Sequence, residues 1–182
     1  MRVAIAVYGA GNVRSVELAF ARLGAQVGGP LDDADLAVLP GVGSARSAMA
    51  GLGDAADALR ARVDEGRPVL GICLGLQLAL DETEEDGGVA GLGLLPGRAV
   101  RLTEGRVPRM GWAPVGDDAF YFAHAYAAET PSATAWSEGV VAEARAGAFL
   151  GCQFHPEKSG AAGARYLAGV LAWAKDLCLS RV

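Results

Sequence analysis

Three short apolar segments, each followed by glycine or bounded by proline, constrain the fold of this chain more than any other feature. They are residues 2–8 (RVAIAVY), 35–39 (DLAVL) and 68–72 (PVLGI). Runs of this length and composition predict buried strands. Helical patterns follow each of them. Asn12 is a candidate cap for a helix that runs to about Leu23, and residues 44–65 are predicted to be helical with glycine interruptions. Another helix is predicted from Leu74 to about Leu80. Strands that alternate with helices predict βαβ units and a parallel sheet.

The second half of the chain has a different pattern. Four β-rich segments are separated by glycine and proline turns, at residues 98–102, 119–123, 140–145 and 148–154. Such segments favour hairpins. A final amphipathic helix is predicted over about 161–177, with an inner face of Tyr166, Leu167, Val170, Leu171 and Ala174. The chain of 182 residues is therefore predicted to be one α/β domain over residues 1–182, with a mixed, centrally parallel sheet flanked by helices and a hairpin-rich second half.

Composition excludes several classes of function. The net charge is −5 and no basic patch is present, so nucleic acid is not an expected partner. No apolar stretch approaches the ~18 residues of a membrane helix, and we expect no membrane association. The run from Val3 to Tyr8 is also too short for a signal-peptide core. The three cysteines have no framework spacing, which favours a reducing cytoplasm.

No cofactor is expected. Gly9-Ala10-Gly11 follows the first strand and is similar to the start of a dinucleotide-binding fingerprint. Arg14 occupies the position of the third glycine, so the motif is incomplete. Neither a dinucleotide nor a metal site is predicted.

The strongest chemical signal is Gly71-Ile72-Cys73-Leu74-Gly75, which directly follows a predicted buried strand. The pattern G-x-C-x-G is the cysteine version of a nucleophile elbow, a tight strand-to-helix turn that needs glycine on both sides. A helix N-terminus favours the thiolate of Cys73, and the Leu74 amide can face an oxyanion. The alternative is that Cys73 is a small buried apolar residue. Cys152 and Cys178 have no comparable setting and are expected to be ordinary apolar residues without a catalytic role.

A base and its orienting group are candidates at His155 and Glu157. Residues i and i+2 of an extended segment point to the same side, and Pro156 restricts His155 to extended conformations. The carboxylate can then hold the imidazole, as a cysteine–histidine–glutamate relay requires. The alternative is a loop histidine beside a solvated glutamate.

A third glycine-rich segment, Pro40-Gly41-Val42-Gly43, follows the second predicted strand. Glycines allow backbone amides to approach a ligand closely, so this loop is a candidate for the second oxyanion donor. An ordinary turn is the alternative interpretation.

These motifs together resemble the class I, triad-type glutamine amidotransferases. The residues that carry the resemblance are Pro40-Gly41-Val42-Gly43, Gly71-Ile72-Cys73-Leu74-Gly75-Leu76-Gln77 and Gln153-Phe154-His155-Pro156-Glu157. Four further pieces are similar to the glutaminase subunits of imidazole glycerol phosphate synthase. They are residues 8–15 (YGAGNVRS), residues 108–112 (PRMGW), residues 121–126 (YFAHAY) and the extension of the triad motif to Lys158-Ser159.

The resemblance implies a flavodoxin-like fold and a role for each matching residue. Cys73 would attack the side-chain amide of glutamine, His155 would act as general base and acid, and Glu157 would orient it. The oxyanion hole would be formed by amides of Leu74 and of Val42 or Gly43. Glutamine would be bound by Gln77, Glu85, His124, Ala125 and Tyr126. Ammonia would pass to a cyclase subunit in a heterodimer that serves histidine biosynthesis. The residues expected to face this partner are Tyr8, Gly9, Asn12, Met110, Trp112 and Lys158.

Three positions depart from the family pattern. Val7 stands where the family usually has aspartate, Ala113 where it has asparagine, and Ala125 where it has serine. Two alternatives stay open. One is a glutaminase subunit of another amidotransferase, for example in pyridoxal phosphate synthesis. The other is a cysteine hydrolase of a different class, although its acid would precede the histidine rather than follow it by two residues. A non-catalytic scaffold is disfavoured because Cys73, His155 and Glu157 are all present.

Overall fold

A computed structural model describes residues 1–9 and 12–180. In chain order its strands are β1 (Arg2–Ile5), β2 (Gln26–Val27), β3 (Leu36–Leu39), β4 (Val69–Ile72), β5 (Glu82–Thr83), β6 (Val89–Ala90), β7 (Arg98–Arg101), β8 (Arg109–Val115), β9 (Asp118–His124), β10 (Tyr126–Glu129), β11 (Ala133–Ser137), β12 (Val140–Ala146) and β13 (Phe149–Cys152). The α-helices are α1 (Val13–Arg22), α2 (Ala45–Leu52), α3 (Asp54–Asp64), α4 (Leu74–Ala79) and α5 (Gly160–Leu179). Short 3-10 turns lie at Leu31–Asp33, Glu85–Gly87 and Pro156–Lys158.

The main sheet has seven strands in the order β11-β12-β13-β4-β3-β1-β2. Strands β2, β1, β3, β4 and β13 are parallel, and β12 and β11 continue the sheet antiparallel. Numbered by chain order, the parallel part reads 2-1-3-4-5, the flavodoxin-like order. The predicted mixed, centrally parallel sheet is therefore confirmed. Ligands of such sheets bind outside the carboxyl ends of the strands, and β4 and β13 end side by side.

Both faces of the central strands are buried, which explains their continuous apolar sequences. Ala37, Leu39 and Val69 pack with apolar residues of α2, α3 and α4 on one face. On the other face, Val38 and Leu70 pack with apolar residues of α1 and α5. The fold has three layers, and its sheet holds the chain segments at the ends of β4 and β13 in fixed positions.

Two smaller sheets accompany the main sheet. One contains β10, β7, β5 and β6, and the other is the β8–β9 hairpin. Hairpins β8–β9, β11–β12 and β12–β13 confirm the hairpin-rich second half. Strand β9 ends at His124, one of the residues predicted to bind glutamine.

Several element predictions differ in detail. Strand β1 ends at Ile5, three residues before Tyr8, although the amide of Ala6 still donates to Val38 O at 2.8 Å. The helical stretch 44–65 divides into α2 and α3 because Gly53 has φ 47° and ψ −128°. Asn12 precedes α1 but its side chain makes no cap hydrogen bond. The part of the glycine motif at residues 10 and 11 lies outside the described residues. None of the helices among the described residues combines the length and apolar character needed to cross a bilayer.

Candidate active site

Cys73 occupies the sharp turn between β4 and α4. Its φ of 53° and ψ of −105° lie in a region that non-glycine residues rarely adopt. Glycines on both sides permit this turn. A Cβ on Gly75 would lie 2.0 Å from Leu39 O, and one on Gly71 would lie 2.7 Å from Gly75 O. The backbone is therefore fixed in a strained conformation that presents the Cys73 side chain above the sheet.

The sulfur of Cys73 is buried among polar partners. The thiol donates to Ala123 O at 3.8 Å, and Gln153 Nε2 donates to the sulfur at 3.6 Å. The Cys73 amide donates to Cys152 O at 2.7 Å, which continues the β4–β13 ladder by one residue. The sulfur therefore has a hydrogen-bond acceptor for its proton and a donor for its lone pairs.

His155 and Glu157 form a buried pair. Nδ1 of His155 donates to Glu157 Oε1 at 2.8 Å, because the carboxylate can only accept, and their side chains are 3% and 2% exposed. The His155 backbone is extended, as predicted, with φ −102° and ψ 91°. Glu157 lies in the 3-10 turn Pro156–Lys158 and not in an extended segment. The backbone is held by His155 N donating to Tyr121 O and by Ser159 Oγ donating to His155 O.

The protonation of His155 depends on the groups that it contacts. Burial lowers its pKa, but hydrogen bonds with the side chains of Cys73 and Glu157 outweigh burial and raise the pKa to about 9. The imidazole is therefore suited to hold a proton taken from the thiol, with Glu157 stabilising the resulting charge.

Cys73 and His155 line one pocket of about 180 Å³. Its walls come from the loop after β3, the elbow and the start of α4, the 3-10 turn after β5, the end of β9 and the turn after β13. The lining residues are Gly41, Val42, Gly43, Cys73, Leu74, Gln77, Glu85, Ala123, His124, Ala125, Tyr126, His155 and Lys158. Nearly all residues predicted from the sequence for catalysis, the oxyanion hole and glutamine binding are brought together here. Glu157 is the exception, since it lies behind His155.

The loop from Pro40 to Gly43 lies against the start of α4. A Cβ on Gly41 would lie 2.5 Å from Leu74 N, so only glycine allows this approach. Gly43 has φ 109°, a conformation that side chains rarely adopt. The hydroxyl of Tyr8 donates to Pro40 O, and burial together with the charge of Cys73 raises the pKa of Tyr8 to about 12. Tyr8 therefore stays a neutral donor that supports the loop.

The turn His124-Ala125-Tyr126 is held through the carbonyl of Tyr126. His124 Nδ1 donates to this oxygen at 2.8 Å, and Gln77 Nε2 donates to it at 2.6 Å. Burial lowers the pKa of His124 to about 4, against the hydrogen bond to Tyr126 and with the positive charge of Arg109. The neutral imidazole therefore shapes the turn, and Gln77 connects the turn to α4.

Glu85 lines the pocket and also caps α2. Its Oε2 accepts from Ala45 N at 2.9 Å, and the neighbouring Asp86 accepts from Arg46 N at 3.0 Å. Burial raises the pKa of Glu85, the bond to Ala45 lowers it, and Asp86 raises it. The capping role was not predicted from the sequence.

The residues predicted to face a partner have different environments. Met110 and Trp112 share one face of β8 and are each 60% exposed, and Trp112 has an edge contact with Tyr121. Lys158 is exposed, lies over the Tyr121 ring and also lines the catalytic pocket. Trp112, Tyr121 and Lys158 are thus linked by ring contacts, Met110 lies on the same strand face as Trp112, and Lys158 joins this surface to the pocket. The other predicted positions lie between β1 and α1, where Gly9 and Asn12 are exposed but the Tyr8 side chain is buried.

Sequence reasoning assigned no role to Gln153 or Tyr121. Gln153 is fully buried and contacts Cys73 Sγ, and Tyr121 binds the His155 amide through its carbonyl. Both stand in motifs that were recognised, Gln153 directly before Phe154-His155 and Tyr121 at the start of YFAHAY. Their position in these motifs was the available signal.

The fold and the cysteine elbow match one class of enzymes. The family model described as "Glutamine amidotransferase class-I" matches residues 25–171. A solved structure described as a glutamine amidotransferase superposes with a TM-score of 0.75 at 22% identity, over 95% of this chain and 98% of that chain. This likeness concerns the fold, and the family match defines the class.

Two relatives narrow the class. Imidazole glycerol phosphate synthase subunit HisH of Methanothermobacter thermautotrophicus is 41% identical, over 88% of this chain and 93% of the relative. The subunit of the same name from Halobacterium salinarum is 41% identical, over 96% of this chain and 94% of the relative. The chain belongs to the class-I glutamine amidotransferases, in the family of imidazole glycerol phosphate synthase subunit HisH.

Proposed function

We propose that the chain hydrolyses L-glutamine to glutamate and ammonia through Cys73, His155 and Glu157, as the glutaminase subunit of an imidazole glycerol phosphate synthase. One observation carries the proposal: Cys73 and His155 line the same small pocket, and Glu157 binds the imidazole from behind. A nucleophile, a base and an orienting carboxylate are the parts that acyl transfer from an amide requires.

In this mechanism, His155 takes the thiol proton and holds it, as its raised pKa favours, and the sulfur then attacks the carbonyl carbon of the glutamine side chain. The oxyanion that forms accepts hydrogen bonds from the amide of Leu74 and from that of Val42 or Gly43. The imidazolium then protonates the amide nitrogen, the C–N bond breaks, and ammonia leaves a glutamyl thioester. Water activated by His155 hydrolyses the thioester, which releases glutamate and restores the thiol.

The substrate's amino-acid end would bind on the opposite wall. Glu85 supplies a carboxylate oxygen for the α-ammonium group while its other oxygen stays on Ala45 N. Gln77 and the backbone of His124-Ala125-Tyr126 complete the site. A contact with the backbone at position 125 does not depend on the side chain there, so alanine at this position is compatible with binding.

The partner would be a cyclase subunit that receives ammonia, in a heterodimer. The relatives are named as subunits, and the surface of Met110, Trp112, Tyr121 and Lys158 adjoins the catalytic pocket. Exposed aromatic and methionine side chains are enriched at protein interfaces. The three cysteines are free, which supports a reducing, cytoplasmic location for the complex.

Partner binding would also activate the site. Tyr8 follows the exposed Val7 and binds Pro40 O, so a contact at the end of β1 reaches the oxyanion loop in one step. Gly41 and Gly43 give this loop conformational freedom. A missing oxyanion donor costs ~2.7–4 kcal/mol in transition-state stabilisation, enough to silence the free subunit.

The experiment measures glutamine hydrolysis by the isolated chain and by the chain with a cyclase subunit and its nucleotide substrate. We expect weak activity alone and about a hundredfold or greater stimulation in the complex. The control is Cys73→Ala, which should bind the partner normally and abolish turnover. Equal activity with and without the partner would reject the activation mechanism, and turnover by Cys73→Ala would reject the nucleophile.

A further inference from the structure

We infer that Gln153 is a further catalytic residue, whose side-chain amide stabilises the thiolate of Cys73, and that Gln77 is the positioning residue that fixes this amide. The inference rests on the proposed function, because it concerns the same nucleophile. It adds a group that touches the reacting sulfur and a physical connection from the glutamine-binding turn to that sulfur.

The β4–β13 ladder brings Gln153 to the nucleophile. Cys152 pairs with Ile72 at the last register position, so the next residues of the two strands, Gln153 and Cys73, are neighbours. Gln153 is completely buried. Its backbone N–H donates to Ala142 O at 2.9 Å, and its side-chain Nε2 donates to Cys73 Sγ at 3.6 Å. The side chain is therefore held by the sheet and is not a mobile surface group.

The hydrogen-bond network determines which end of the Gln153 amide faces the sulfur. Tyr126 O can only accept, so Gln77 must present its nitrogen there, at 2.6 Å. The second N–H of the same Gln77 nitrogen donates to Gln153 Oε1 at 3.2 Å. With its oxygen engaged by Gln77, Gln153 must turn its nitrogen toward Cys73. The Tyr126 carbonyl thus orients the side-chain amide of Gln77, which in turn orients that of Gln153 so that its nitrogen donates to the Cys73 sulfur.

A donor on the sulfur favours the thiolate over the thiol. The thiol can donate its proton to Ala123 O, but a thiolate has no proton to donate and needs donors of its own. Gln153 Nε2 is one such donor, and protonated His155 is the other. Since a hydrogen bond to a charged group is worth more than one to a neutral group, Gln153 stabilises the reactive form selectively.

The test reads the ionisation of Cys73 without using glutamine. Iodoacetamide alkylation of Cys73 is followed by peptide mass between pH 5 and pH 10, in a Cys178→Ser background because Cys178 is partly exposed. We expect Gln153→Met, which keeps a long side chain but removes the donor, to raise the pH midpoint of alkylation by about one unit or more. The alkylation rate at pH 7 should fall about tenfold or more, as should kcat with the partner present. An unchanged midpoint overturns the inference.

A second variant keeps the test decisive if Gln153→Met does not fold, as judged by its unfolding transition. Gln77→Met leaves Gln153 in place but releases its oxygen, so the midpoint should rise by less than in Gln153→Met. A midpoint equal to that of the unsubstituted chain would also overturn the inference. Failure of the proposed function looks different: alkylation would respond as expected, but the unsubstituted chain and its partner would not hydrolyse glutamine.

Discussion

Glu157 is an unusual carboxylate at the scale of a single residue. One oxygen binds His155 Nδ1 at 2.8 Å, while Oε2 is buried and has no hydrogen-bond partner among the residues that the structure describes. A buried acceptor without a partner destabilises the fold, and more so when it carries charge. Under the proposed function the carboxylate would serve catalysis instead, because its charge would support the positive charge that His155 acquires.

Glu157→Gln separates the charge of this carboxylate from its hydrogen bond. The amide oxygen can still accept from Nδ1, so the imidazole keeps its orientation, but the negative charge is lost and the pKa of His155 should fall. We expect kcat with the partner to fall by about a hundredfold or more, from weaker general acid–base catalysis. The measurement is kcat from pH 6 to 9 together with urea unfolding. A decrease in kcat smaller than about threefold would contradict the role of the charge.

At the scale of elements, α4 lies tightly against the end of β3. Gly75 of α4 lies over the Leu39 carbonyl, so that a Cβ there would approach this oxygen to 2.0 Å. Gly169 of α5 is exposed, and a Cβ added there would have nothing within 4 Å. A side chain at position 75 would therefore clash with β3, whereas one at position 169 would fit.

We predict that Gly75→Ala lowers the unfolding free energy by about 1–3 kcal/mol, because α4 must move away from β3. It should also lower kcat, since Cys73 moves with α4. Gly169→Ala, the matched control, should raise the unfolding free energy by up to about 1 kcal/mol through helix propensity and leave kcat unchanged. Urea unfolding of both variants is the measurement, and a stabilising effect of Gly75→Ala would disprove the tight contact.

The elements that could be predicted from the sequence are those whose burial is uniform. Strands β3 and β4 are buried on both faces and read as continuous apolar runs, so their existence and ends were clear. Strand β8 was recognised only as a motif, because it contains Arg109, Gly111 and Pro114 and has exposed residues. Its regular seven-pair ladder with β9 exists through tertiary pairing that no local pattern in this strand announces.

The same distinction applies to the site. Cys73, His155 and Glu157 stand in local motifs, and the sequence was sufficient to nominate them, although Glu157 reaches His155 from a 3-10 turn and not from the predicted extended segment. The cap of Glu85 on Ala45 joins residues 40 positions apart, and the contact of Gln153 with Cys73 joins residues 80 positions apart. Such contacts depend on strand order and register, which single-sequence patterns do not specify.

At the scale of the whole molecule, the two histidines have opposite effects on stability. They are the only histidines in the chain, and both differ from the ordinary pKa of 6.5. The pKa of His124 is lowered to about 4, chiefly by burial, so the folded chain binds fewer protons there than the unfolded chain. Despite burial, the bonds with Cys73 and Glu157 raise the pKa of His155 to about 9, so the folded chain binds more.

These shifts predict a stability maximum near pH 6.5 from the histidines. The contribution of His124 is present above pH 6.5 and is lost as the pH falls toward 4. The contribution of His155 is present below pH 6.5 and is lost as the pH rises through 9. One proton corresponds to about 1.4 kcal/mol per pH unit, so each limb should change the unfolding free energy by about 2 kcal/mol over 1.5 units. His124→Asn should reduce the change in unfolding free energy between pH 6.5 and pH 5. His155→Asn should reduce the change between pH 6.5 and pH 8. Urea unfolding at these three pH values provides the measurement. Curves of the two variants that run parallel to that of the unsubstituted chain would show that neither histidine is coupled to folding in this way.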